Sequence, residues 1–303
     1  MDKENILSQL KVATGNKSLQ LPEDMDFASI DEVLTITLSS KSLLDNMQKS
    51  SAFEGWAICI KAICPNLAKK VIISWTGTDV QDRDTNTNYT CFLYRLIKFI
   101  ENYTWASIKP LDSTAQEDYN KIKSQIHYWV ITYPSKEVKE DVTSGEANLE
   151  RKINLSLPGI HGQQLPTGLF FKKKCVINQR TPSGRSAIDL WSLENGTFTI
   201  YELKINDNKN VSIITQLMFY VNVVKDLIDG IIKYPDEAAN APRNVSAIYF
   251  AIKNKEISNI LGVFLSDNIH TLIQTKQEKL LELLNTNQRN LKYTCMSSTS
   301  FSN

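Results

Sequence analysis

The dipeptide Asn195-Gly196 separates two runs, Ser186 to Leu193 and Phe198 to Ile205, that are rich in β-branched and aromatic residues. Asn-Gly suits the left-handed conformations of a two-residue type I′ turn, so the spacing predicts a β-hairpin. Such a turn also sets the register. Counting outward from it places Asp189 opposite Glu202, with Cβ atoms about 4.5 to 5.5 Å apart. Side chains alternate along a strand, so Lys204 shares that face. Trp191 with Ile200 and Leu193 with Phe198 continue it, while Ile188, Leu190, Tyr201, Leu203 and Ile205 line the other. Two largely apolar faces predict a sheet covered on both sides.

Facing like charges destabilise a hairpin by a few tenths to about 1 kcal/mol, and by more when buried. A divalent cation offsets that repulsion, and hard carboxylate oxygens suit Mg²⁺, with Mn²⁺ as a substitute. Glu-x-Lys alone carries little, because it recurs at Glu137 to Lys139 and at Glu150 to Lys152. Only the copy at Glu202 lies in an apolar strand with an aspartate facing it. The plain alternative is a solvated edge hairpin in which Lys204 forms an ordinary salt bridge.

The surrounding pattern is α/β. Phe53 to Cys64 reads as a helix, Val71 to Trp75 as a strand, Gly77 to Asn88 as a polar loop and Tyr89 to Tyr103 as a helix. Phe92, Leu96, Phe99 and Tyr103 form a core-facing stripe there. Ser135 to Gly145 is polar and lacks aromatics, which places a boundary near residue 140. The expected domains are 1–140, a mixed α/β domain for regulation, oligomerisation or partner binding, and 141–303. In the second, Glu146 to Leu155 reads as a helix opened by a Thr143 to Glu146 capping box. The hairpin follows, then a long apolar helix at Val211 to Ile228 and a strand at Val245 to Ile252. Gly262 to Ser266 reads as another strand and Lys276 to Leu284 as a helix.

In this order of elements, Ile188-Asp189 and Glu202-Leu203-Lys204 resemble the motif of the PD-(D/E)xK nuclease superfamily. Its core is a helix, a three-stranded meander, a helix and a further strand, with an aspartate on the second strand and (Asp/Glu)-x-Lys on the third. Ile188 stands where the motif name has proline. Gln216 and Tyr220 match the Gln-x-x-x-Tyr spacing of the RecB-type branch. Four residues apart, they share one helical face. The resemblance covers about Thr143 to Ile252 and implies a restriction-endonuclease-like core, a central mixed sheet flanked by helices. It implies metal held by Asp189, Glu202 and the Leu203 carbonyl, with Lys204 and Gln216 in the catalytic set and Tyr220 near nucleic acid. Members with a glutamate on the first helix point to Glu150, on the inward stripe beside Leu149 and Ile153, rather than to Glu146 at the cap. The upstream histidine of the RecB-type branch has no secure equivalent, since His161 reads as a loop residue between Gly159 and Gly162.

From Arg151 to Ile188 there is no acidic residue and there are seven basic ones, Arg151, Lys152, Lys172, Lys173, Lys174, Arg180 and Arg185. Such a local field suits phosphate and predicts binding that weakens steeply with salt. Over the whole chain, 34 basic and 33 acidic residues give a net charge of +1, which decides nothing about partners. Met1 to Asp45 holds 4 basic and 8 acidic residues, a poor surface for phosphate. No apolar run reaches membrane-spanning length and the first residues do not read as a signal peptide. Five widely spaced cysteines without a Cys-x-x-Cys pair suggest a reducing cytoplasm. The expectation is a Mg²⁺-dependent deoxyribonuclease acting on DNA rather than RNA, with a homodimer by analogy because duplex cleavage often uses two sites. A ribonuclease and a non-cutting nucleic-acid module on the same fold remain alternatives. A serine hydrolase, a P-loop enzyme and a His-Glu-x-x-His protease lack their motifs.

Overall fold

Asn195 and Gly196 adopt φ of 49° and 74°, and the strands on either side close into the predicted hairpin. Pairing runs from Glu194↔Thr197 to Leu190↔Tyr201, the register the turn dictates. The computed structural model describes residues 1–45, 47, 52–77, 87–134, 145–171, 186–204, 210–286 and 288–301. The polar stretch 135–144 and most of the loop between residues 77 and 88 lie outside these, as do Lys172, Lys173, Lys174, Arg180 and Arg185.

The chain is α/β and divides into two compact units. The first comprises Met1–Ser124, Lys209–Gln216 and Ile269–Gln288, and the second Gln125–Asn208, Leu217–Asn268 and Arg289–Asn303. A single cut at residue 140 therefore does not describe it. Residues 125–134 join the second unit, and two later segments return to the first.

In the first unit, α1 (Lys3–Thr14) is followed by β1 (Met25–Ile30), β2 (Val33–Leu38), α2 (Ser40–Leu44), α3 (Phe53–Ile63), β3 (Lys70–Trp75), α4 (Thr87–Asn102), β4 (Ala106–Pro110) and α5 (Ser113–Gln125). The sheet order is β1-β2-β3-β4, with β1 antiparallel to β2 and the remaining pairs parallel. Helix α3 is buried on nearly every side, as an apolar helix without a polar face must be. Phe53 meets Phe92 and Phe99 edge to face, each at 5.6 Å between ring centroids. The predicted aromatic stripe is thus core.

In the second unit, β5 (Trp129–Ile131), α6 (Gly145–Asn154), β6 (Ile160–Pro166) and β7 (Leu169–Phe171) precede the hairpin strands β8 (Ala187–Glu194) and β9 (Thr197–Lys204). There follow α7 (Ser212–Ile228), whose first turn belongs to the first unit, then α8 (Val245–Lys253) and β10 (Asn259–Ser266). Helices α9 (Thr271–Thr275) and α10 (Gln277–Asn285) belong to the first unit, and β11 (Leu291–Met296) completes the second. The mixed five-stranded sheet has the order β11-β10-β9-β8-β6, in which β6, β8 and β9 are antiparallel and β9, β10 and β11 parallel. Ile153 and Leu157 of the α6 region cover one face, packing with Leu190, Tyr201, Leu203, Val263 and Leu265. On the other face Trp191 stacks on Phe198 at 5.5 Å. A Cβ at residue 162 would lie 2.8 Å from the Trp191 indole nitrogen, so Gly162 lets that ring lie against β6.

Two sequence expectations are corrected. Val245 to Ile252 is helix α8, not a strand. Its buried residues, Val245, Ile248 and Ala251, recur every three, a helical stripe in a run too short to distinguish by periodicity alone. The strand that joins β9 is β10 instead. His161 lies within β6 rather than in a loop, with its Nδ1 3.0 Å from the Gly159 carbonyl. Among the described residues no helix is long and apolar enough to cross a membrane, and Cys59, Cys64, Cys91 and Cys295 are free thiols.

Candidate metal centre

The hairpin's ladder ends at Leu190↔Tyr201, and beyond it Asp189 turns its carboxylate to the backbone. Asp189 Oδ2 accepts from the Leu203 N–H at 3.1 Å. Lys204 Nζ donates to Glu202 Oε1 at 2.6 Å and lies 3.9 Å from Asp189 Oδ2, so the ammonium group sits between the two acids. It also donates to the Leu203 carbonyl at 2.9 Å. That carbonyl, expected to face a metal, is thus engaged by Lys204. Glu202 is 1% exposed, and its second oxygen, Oε2, has no hydrogen-bond partner among the described residues.

Helix α6 brings two further acids. Glu146 and Glu150, one turn apart on the same side of the helix, join Asp189 in a group whose carboxylate oxygens, one from each, lie within 4.8 Å of one another. Gln164 of β6 donates to Glu150 Oε2 at 2.9 Å. The family resemblance points to Glu150 and assigns Glu146 to the helix cap. The structure brings both to Asp189, and the i,i+4 spacing was the available signal. Gln164 had no signal at all.

The remaining expected residues are placed differently. Gln216 and Tyr220 are both buried in α7. Gln216 Oε1 lacks a hydrogen-bond partner among the described residues. Tyr220, expected near nucleic acid, is 3% exposed. Of the basic stretch, Arg151 and Lys152 are described, and both are exposed on α6 beside Glu150.

Burial, with the crowding of acids adding to it, raises their pKa values. Burial, with the Asp189 charge adding to it, pushes Glu150 up to about 7. Burial pushes Asp189 to about 6, against the opposing pull of Lys204 and of the Leu203 N–H. Glu202 rises to about 8 through burial and then the Asp189 charge. Lys204 goes the other way from a buried amine. Burial lowers its pKa, but Glu202 and Asp189 outweigh that and hold the ammonium form.

Carboxyl groups with raised folded pKa values favour the folded state fully only below the ordinary carboxylate range near 4, and that stability is lost as pH rises through about 6 to 8. A cation binds the ionised forms, so its stabilising effect should grow across the same window. Thermal melts with EDTA and with Mn²⁺ should show a metal-induced shift of several degrees near pH 8 and almost none near pH 5. Equal shifts at both would contradict the assignment of these carboxylates as ligands.

The donor set fits a hard divalent cation: carboxylate oxygens, held in their ionised form only at a cost, beside a buried oxygen with unmet demand. No family model, curated protein or solved structure matches the chain.

Proposed function

We propose that this chain is a metal-dependent nuclease of PD-(D/E)xK type that hydrolyses phosphodiester bonds, in DNA rather than RNA. The observation that carries the reading is the convergence of Glu146, Glu150 and Asp189 beside the Glu202–Lys204 pair. The order of elements supports it. Helix α6, antiparallel β6, β8 and β9, helix α7 and then β10 parallel to β9 follow the order that a restriction-endonuclease-like core would have, with β7 and α8 as additions to it, and Asp189 lies on β8 and Glu202-Leu203-Lys204 on β9.

Glu146, Glu150 and Asp189 would hold Mg²⁺, or Mn²⁺ in its place, with Glu202 adjoining. A bound divalent cation supplies a lowered pKa for water and charge stabilisation at a phosphate. The protein's own part is electrostatic and positional. Lys204 keeps a positive charge in a largely buried site, where it orients a water or stabilises developing negative charge. Glu202 holds that ammonium group in place at 2.6 Å. Exposed Arg151 and Lys152, beside Glu150 on α6, would supply positive charge that draws a phosphate backbone in.

The test is incubation of the purified chain with linear, circular and single-stranded DNA and with RNA, in Mg²⁺ and in EDTA. The reading expects DNA cleavage in Mg²⁺ that EDTA abolishes. Cleavage of RNA alone would assign a ribonuclease. Binding without cleavage, indifferent to EDTA, would assign a non-catalytic module.

A further inference from the structure

The register of β6 on β8 skips one pair. Gln163 pairs with Leu190 and Leu165 with Ile188, but the pair between them, Gln164 with Asp189, is absent from the ladder. Gln164 has φ of 51°, a left-handed conformation that an unbranched L residue rarely adopts inside a strand. Its neighbours are held on both sides by ladder pairs, and Leu165 is 3% exposed, so the surrounding sheet imposes the conformation. The register is the same on both sides of the gap, so no residue is inserted, and the left-handed backbone at Gln164 turns its side chain away from the direction a regular strand residue would give it. Here the re-aimed amide donates to Glu150 Oε2 at 2.9 Å.

We infer that Gln164 is a positioning residue that makes Glu150 a one-oxygen ligand, and so sets the centre's preference for Mg²⁺ and Mn²⁺ over Ca²⁺. The inference rests on the cation site proposed above. One Glu150 oxygen already carries the Gln164 N–H, which holds the carboxylate's orientation and favours its other, unengaged oxygen as the one presented to a metal. Mg²⁺ takes near-octahedral oxygen ligation, and Mn²⁺ shares that oxygen preference, whereas Ca²⁺ accepts six to eight oxygens and often both from one carboxylate. A carboxylate restrained to one oxygen disfavours the larger ion. A primary amide is suited to the task because it does not titrate, so the restraint persists while the carboxylates around it change charge. An independent sign of a ligand is the Glu202 carboxylate, buried beside Asp189 with Oε2 unpartnered among the described residues.

Gln164→Asn and Gln164→Gly both tolerate a left-handed backbone, and neither reaches Glu150. Mn²⁺ and Ca²⁺ would be titrated calorimetrically into the full chain, into both variants and into Asp189→Asn, with melting curves recorded alongside. Both variants should melt at or above the wild-type temperature. Their Mn²⁺ affinity should fall about 10- to 100-fold while Ca²⁺ affinity holds or rises, lowering the ratio of the two affinities by about tenfold or more. An unchanged ratio, whether both affinities hold or fall together, overturns the inference and leaves the cation site standing. A wild-type chain that binds neither ion, or an Asp189→Asn variant that binds like wild type, removes the site itself and the inference with it.

Discussion

Asp189→Ala is expected to reduce Mg²⁺-dependent DNA cleavage by about a thousandfold, the scale of several kcal/mol of transition-state stabilisation lost with a metal ligand. Asp189 is the residue on which the site's contacts converge. It shares the acidic cluster with Glu146 and Glu150, accepts from the Leu203 N–H and lies 3.9 Å from the Lys204 ammonium. Lys204→Ala should lower turnover by about 10²- to 10³-fold, with Mg²⁺ binding largely retained, because the lysine is not a ligand. Asp189→Asn separates lost chemistry from lost folding. It removes one of three crowded charges, so above pH 7 the metal-free variant should melt higher than wild type while failing to cleave. Steady-state cleavage assays and melting curves on the same preparations check both halves. Variants that cut at the wild-type rate would end the nuclease proposal.

Breaking the buried ion pair of the first unit should cost about 3 to 5 kcal/mol of folding stability. Arg95 donates from Nε and Nη2 to the two oxygens of Glu54, each at 2.7 Å, and both side chains are about 2 to 3% exposed. Thr215 Oγ1 adds a third donor to Glu54 at 3.1 Å, and the guanidinium lies 5.2 Å from the centre of the Phe53 ring. Burial works against the charged arginine, but Glu54 more than restores it. Arg95→Met leaves an uncompensated carboxylate in an apolar helix, and Glu54→Leu leaves a buried guanidinium. The double variant carries neither charge and should recover most of the loss, a coupling readable by chemical denaturation of the four proteins. Single variants that each cost under about 1 kcal/mol would show the pair to be more solvated than its burial implies.

How much of this was legible in the sequence depended on whether the signal was local. The hairpin was, because Asn195-Gly196 fixes the turn and the turn fixes the register from Glu194↔Thr197 to Leu190↔Tyr201; the facing pair expected one step further, Asp189 with Glu202, is not part of the ladder, since Asp189 there bonds the Leu203 N–H instead. Helices α3, α4, α6, α7 and α10 were legible for the same reason, being periodic over their own length. Helix α8 was not. Val245 to Ile252 is a short run of β-branched and aromatic residues that suits a strand, and only packing of Val245, Ile248 and Ala251 makes it helical. The division into units was hidden too, since nothing in residues 209–216 or 269–288 announces that they return to the first unit. Glu54 and Arg95, 41 residues apart, meet only in the folded chain. Gln164 was the least accessible, because nothing in the residues around it marks the left-handed backbone it adopts opposite Asp189.

The most direct measurement is anomalous diffraction from a crystal of the full chain grown or soaked with Mn²⁺ near pH 8. A manganese peak within coordination distance of Glu150 and Asp189 oxygens, with Glu146 or Glu202 adjoining and lost in Asp189→Asn, is the predicted result. Manganese bound elsewhere, with these carboxylates left protonated and hydrogen-bonded to one another, would contradict it.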